Sequence, residues 1–169
     1  MGLLLIEQAF NGLQFGVMLF LIAAGLTLVF GIMDLVNLSH GSLVMVGAYL
    51  ATTLIEWTGS FILGILLALP STFLVGVAVE IVVLRTLYER DHLDQVLATF
   101  GLILFFNELI RIVWGPASLY SGLPESISGH VEILPGVPYP AFRLLIILVG
   151  LLVALLIYFI VARTKLGML

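Results

Sequence analysis

Between residues 142 and 161, sixteen of the twenty positions are Leu, Ile, Val or Phe. An unbroken apolar stretch of about 20 residues is what a helix needs to cross the hydrocarbon of a bilayer. At roughly −0.3 to −0.6 kcal/mol per residue near the membrane centre, this segment gains on the order of −5 to −10 kcal/mol by inserting. Its one charge, Arg143, stands at an end, where the stem lies along lipid and the head reaches the headgroups. Segments 12–33, 42–57, 61–84, 96–114 and 141–162 all read as spans, the second of them short. The fold class expected is all-α: a polytopic helical membrane protein of about five membrane-embedded helices, with a polar break between the first two.

Composition removes the other classes. Apolar types make up 62% of the chain and DEKR only 9%, against roughly 45–50% and about 25% in a soluble domain. Six basic against ten acidic residues give a net charge of −4, which leaves no broad nucleic-acid footprint. Without cysteine, there is no disulfide scaffold, thiol nucleophile, iron–sulfur cluster or cysteine zinc site. Alternating strands of about ten residues, the mark of a membrane barrel, are missing. The start, MGLLLIEQAF, lacks a basic n-region and a cleavage site, so the first segment is expected to be retained. Arg85, Arg90, Arg163 and Lys165 outnumber Arg111 and Arg143 on the opposite side. The positive-inside rule then puts the third connection and the C-terminus in the cytoplasm. Residues 115–140 hold five of the six prolines and are expected as an irregular solvent-facing loop with room for a short interfacial helix.

Asp34, Asn37, Ser39, His40 and Gly41 interrupt an otherwise apolar course. The apolar run that follows is only about 20 Å long as a helix, short against a core of about 30 Å. A short or interrupted span points to a substrate site, because freed helix ends present backbone groups to a ligand. The competing reading is an ordinary polar turn between helices, with Ser39 as N-cap of the second. Asn107, Glu108 and Arg111 lie late in the fourth span, and Glu108 and Arg111 share a helix face at i,i+3. They read either as a neutralised pair near the interface, with Trp114 as anchor, or as part of an outer gate. Glu80 reads as an interfacial carboxylate, with Arg85 not ideally faced for it. Pro70 marks a break or flexing point in mid-span. Gly12 and Gly16 form a GxxxG pair suited to close helix approach. HExxH, Walker A and nucleophile–base spacings are missing, so no enzymatic activity and no bound cofactor are expected.

Together these residues resemble a family. The stretch GLTLVFGIMDLVNLSHGSLVMVGAY is similar to the hallmark of the H-type permease subunit of branched-chain amino-acid ABC importers, through Gly25, Thr27, Leu28, Gly31, Asn37, His40, Gly41, Gly47, Ala48 and Tyr49. ATFGLILFFNELIRIVWG and RTKLGM resemble two further stretches of the family. Near Glu80 and Arg85 the match is partial, with Ile81 and Thr86 where the family has Arg and Pro. The resemblance implies a permease that moves branched-chain or related amino acids across the bacterial inner membrane by alternating access. It implies as partners a second permease subunit, two ATPase subunits that bind the ATP, and a periplasmic substrate-binding protein. Residues 1–169 would be the N-terminal part of one permease transmembrane domain. The substrate pathway is expected at Asp34, Asn37, Ser39, His40, Gly41, Asn107 and Glu108. The alternatives are a truncated, non-transporting membrane interaction module, or a permease for urea or short amides.

Overall fold

The computed structural model describes residues 2–33, 35–120, 122–134 and 137–163. It is an all-α, polytopic chain. Five long helices are α1 (Gly2–Met33), α2 (His40–Thr58), α3 (Phe61–Val82), α4 (His92–Trp114) and α6 (Ala141–Arg163). A 3-10 turn (Leu84–Leu87) follows α3, and the connection into α6 carries the four-residue α5 (Glu125–Ser128) and strands β1 (His130–Leu134) and β2 (Val137–Pro140). Among the described residues, four helices are long and apolar enough to cross a membrane: Leu4–Gly31, Phe61–Val82, His92–Trp114 and Ala141–Arg163. The fifth long helix, α2, has 19 residues and carries Ser42, Thr52, Thr53 and Glu56. It is the short segment that the hydropathy pattern marks.

Two helices begin earlier than their apolar runs. α1 starts at Gly2 rather than at 12, and α4 at His92 rather than at 96. Glu7, Gln8, Asp94 and Gln95 are polar without being helix breakers, so hydropathy marks where lipid begins and not where the helix does. The proline-rich connection is more ordered than expected. β1 and β2 pair antiparallel, with Val131 opposite Tyr139 and His130 opposite Pro140, and a bulge between Glu132 and Leu134. Proline suits a two-stranded ribbon, where half the N–H groups face outward and need no ladder partner.

The chain divides into two compact units. One contains Met1–Thr27 and Leu123–Leu169. Within it, buried Tyr139 on β2 donates to Asn11 Oδ1 at 3.1 Å, and Arg143 donates to the same oxygen at 2.6 Å. The Phe10 ring packs against Tyr139 at 5.6 Å. Farther along, Gly150 meets the Val17 side chain so closely that a Cβ there would collide with it. At Gly12 and Gly16 a Cβ would meet nothing within 4 Å. The tight approach therefore falls on Gly150, and the GxxxG pair stays open.

The other unit is Leu28–Gly122. Its core gathers Leu35, Val46, Val79, Leu84, Leu87, Phe106 and Ile110. α2 and α3 form an antiparallel hairpin. Gly59 ends α2 in the left-handed region at φ 63°, a conformation that costs a glycine nothing. The Ser60 hydroxyl then accepts from Leu63 N–H at the start of α3. The hairpin closes tightly because Gly64 faces Ile55. A Cβ on Gly64 would fall on the Ile55 side chain and lie 2.6 Å from Ile55 Cα. Neither backbone can yield without opening the hairpin. Gly64→Ala is expected to lower stability by about 1–3 kcal/mol through overpacking. Gly76→Ala, on the same helix where a Cβ meets nothing within 4 Å, is expected to leave stability unchanged or raise it, since alanine is the better helix former. Thermal unfolding of the two variants in detergent checks the contrast.

Candidate functional site

The polar break lies between the ends of α1 and α2, and three of its described residues are buried. Leu35, Asn37 and Ser39 are between 0% and 4% exposed. Asn37 Oδ1 accepts from the Ser39 N–H at 3.0 Å and from the Ser39 hydroxyl at 2.7 Å, the local turn that an Asn side chain makes two residues on. Ser39 does occupy the N-cap position of α2, and its carbonyl accepts from Ser42 and Leu43. Its hydroxyl, however, turns back to Asn37 and caps nothing.

The break is held by α4. Gln95, 2% exposed, accepts from Val36 N–H at 3.1 Å through Oε1. Its Nε2 donates to the carbonyls of Leu87 at 3.3 Å and Arg90 at 3.2 Å. His92 Nδ1 stands 3.4 Å from Oε1. Thr99, fully buried, donates to the Gln95 carbonyl at 2.8 Å and lies 3.4 Å from that of Val36. One carboxamide thus ties the α1–α2 break to the α3–α4 connection. Sequence reasoning missed Gln95 and Thr99, because polar residues in the first turns of a helix look like interfacial ones.

At the other end of α4, Trp114 packs on Tyr49 of α2 with ring centroids 5.4 Å apart. Its indole N–H donates to Thr53 Oγ1 at 2.7 Å. A cavity of about 360 Å³ is lined by Met45, Tyr49, Asn107, Ile110 and Arg111. A second, of about 240 Å³, is lined by Tyr49, Thr52 and Ser118. Glu108 and Arg111 do pair, at 3.9 Å with both side chains about two-thirds exposed. Glu80 departs from expectation. The 3-10 turn brings Arg85 back, so Nε and Nη2 each donate to a Glu80 oxygen at 3.2 Å, and Tyr88 donates to the same carboxylate. Burial, reinforced by the Glu80 hydrogen bond, pushes the Tyr88 phenol above its ordinary value.

Residues 8–169 match the family described as the branched-chain amino acid transport system, permease component. The chain belongs to that family. It is 28% identical, over 175 residues, to the high-affinity branched-chain amino acid transport system permease protein BraD of Pseudomonas aeruginosa, covering 96% of this chain and 56% of that protein. It is 27% identical over 141 residues to the permease protein LivH of Escherichia coli, covering 75% of this chain and 45% of LivH. LivH of Salmonella typhimurium is likewise 27% identical, over 74% of this chain and 43% of its own length. The chain spans about half the length of the curated relatives it matches. No solved structure matches it.

The residues expected on the permease pathway fall in three places. Asn37 and Ser39 are buried and engaged with each other, while His40 is half-buried and Gly41 exposed at the first turn of α2. Asn107 and Glu108 are exposed on α4, remote in sequence and on the far stretch of that helix from Gln95. Asp34 lies outside the described residues. Gln95→Leu removes the acceptor for a buried N–H and the donor for two carbonyls. It is expected to cost about 1–3 kcal/mol or more, the penalty for a buried group left unsatisfied. Gln95→Glu keeps the acceptor and loses the donor. Thermal unfolding of both variants should rank wild type above each.

Proposed function

We propose that this chain contributes its helices to the membrane permease of an ABC importer for branched-chain or related amino acids in a bacterial inner membrane. The observation that carries this reading is the family match over residues 8–169, with four helices among the described residues long and apolar enough to span a bilayer. The partners in this reading are a second permease subunit, two ATPase subunits and a periplasmic substrate-binding protein. ATP is bound by the ATPase subunits, and the C-terminus faces them from the cytoplasmic side. Transport proceeds by alternating access. A substrate with an apolar side chain passes between apolar walls while its charged ends meet helix termini and polar side chains. The residues assigned to the pathway are Asp34, Asn37, Ser39, His40 and Gly41 at the break, with Asn107 and Glu108 on α4. In this reading Asn37 and Ser39 shape the lining from within their turn, and His40, half-buried and without a hydrogen bond among the described residues, meets the substrate.

Uptake of radiolabelled leucine by vesicles carrying the complete system tests the proposal. Deleting the gene is expected to abolish leucine uptake, and wild-type uptake in the deletion strain removes the substrate assignment. His40→Leu is expected to lower uptake about fivefold, the loss of roughly one polar contact, with unchanged amounts of the protein in the membrane. Wild-type flux in that variant returns His40 to a packing role.

A further inference from the structure

Hydrogen-bonding capacity is used unevenly along the α2–α4 pair. Near the break, Gln95, Thr99, Asn37 and Ser39 satisfy one another and the backbone. At the opposite end, the Tyr49 hydroxyl and the Asn107 carboxamide make no hydrogen bond among the described residues. Arg111 has only Glu108, at 3.9 Å, beyond hydrogen-bond length. Asn107 and Arg111 both belong to a helix apolar enough to cross a membrane. Polar groups there without an internal partner must find one outside the chain.

These groups share one groove. Tyr49 stands between the two cavities, and its ring is buttressed by Trp114, itself anchored on Thr53. The unpartnered hydroxyl is therefore held in place before anything binds. Asn107 and Arg111 line the larger cavity with Tyr49, and Met45 and Ile110 supply its apolar wall. Donors predominate, and Glu108, an acceptor of full charge, stands beside Arg111.

We propose that this groove is a binding site for the free amino-acid zwitterion, an inference that rests on the transport reading above. The carboxylate takes the Arg111 guanidinium, with the Tyr49 hydroxyl and the Asn107 amide as further donors. The ammonium takes Glu108, and the apolar side chain lies against Met45 and Ile110. The loose Glu108–Arg111 contact opens to admit a ligand that carries both complementary charges. Each half of the pair then exchanges one long contact for a charge-assisted hydrogen bond. Tyr49 and Arg111 thereby join the pathway, and Asn107 acquires a defined partner.

The chain has no cysteine, so Pro116→Cys, at a lining position outside the proposed contacts, places its one thiol in the groove. Vesicles carrying the complete transporter are treated with a charged, membrane-impermeant thiol reagent, and labelling is read on this chain. The thiol is expected to react, and leucine at twice its Kd to slow the reaction about threefold, as occupancy requires. Leucinol, which lacks the carboxylate, should protect far less. Ser118→Cys, bordering the smaller cavity, provides the same reading should Pro116→Cys fail to reach the membrane. In parallel, Arg111→Gln is expected to lower leucine uptake about tenfold, the loss of one charged hydrogen bond, and Arg111→Lys to restore part of it at equal protein level. A thiol sealed from water, one that leucine does not protect, or equal protection by leucinol overturns the site, as does wild-type uptake by Arg111→Gln. Protection by leucine in vesicles that accumulate no amino acid would instead sink the transport reading and leave the site standing.

Discussion

The carboxamide of Gln95 is the contact on which Leu28–Gly122 depends. Where α1 gives way to α2, peptide groups leave the helical ladder beside the apolar core of Leu35, Val46 and Val79. Helix ends and connecting backbone carry free N–H and C=O groups, and lipid offers them nothing. Gln95 takes the Val36 N–H with its oxygen and gives its two protons to the carbonyls of Leu87 and Arg90. Asn37 and Ser39 close the rest of the turn on themselves. The α1–α2 and α3–α4 connections are thereby fastened together. Leu35 goes into the core beside Val79, Leu84 and Leu87, next to the Val36 N–H that Gln95 takes up.

This fastening gives the α2–α4 pair two unlike ends. Near the break Asn37, Ser39, Gln95 and Thr99 are buried and engaged with one another or with the backbone, as a fixed point requires. Toward Trp114 polar side chains such as Asn107 and Arg111 are exposed and face a cavity. Between them α2 lies against α3 with Gly64 on Ile55, and a Cβ added to Gly47 would stand 3.2 Å from Thr72, so the hairpin moves as one piece or not at all.

Much of the architecture is visible in the linear pattern, and the failures are instructive. The five long helices follow from apolar runs, four of them long and apolar enough among the described residues to cross a bilayer, and the pairing of Glu108 with Arg111 follows from helical periodicity. The β-hairpin was not legible, since Pro138 and Pro140 argue against a strand until one sees a two-stranded ribbon with the Tyr139 side chain turned inward. Glu80 and Arg85, five apart, fail the helical spacing rule, and they meet because the helix ends at Val82 and a tighter turn follows. GxxxG drew attention to Gly12 and Gly16, whereas the close contacts fell on Gly64 and Gly150, which belong to no motif.

Hydropathy alone determined that this is a polytopic helical membrane protein and that a polar break follows its first helix, and the resemblance of its motifs pointed to the family that the comparison shows. Those are properties of residues and their near neighbours, and lipid acts on each segment separately. Only the tertiary structure decided what closes the break, which glycines bear the tight contacts, and where unsatisfied polar groups collect. Gln95 reaches Val36 across 59 positions, and Trp114 reaches Thr53 across 61. A hydrogen bond demands its partner within about 3 Å in space and is indifferent to distance along the chain, so no reading of local pattern could have chosen those partners.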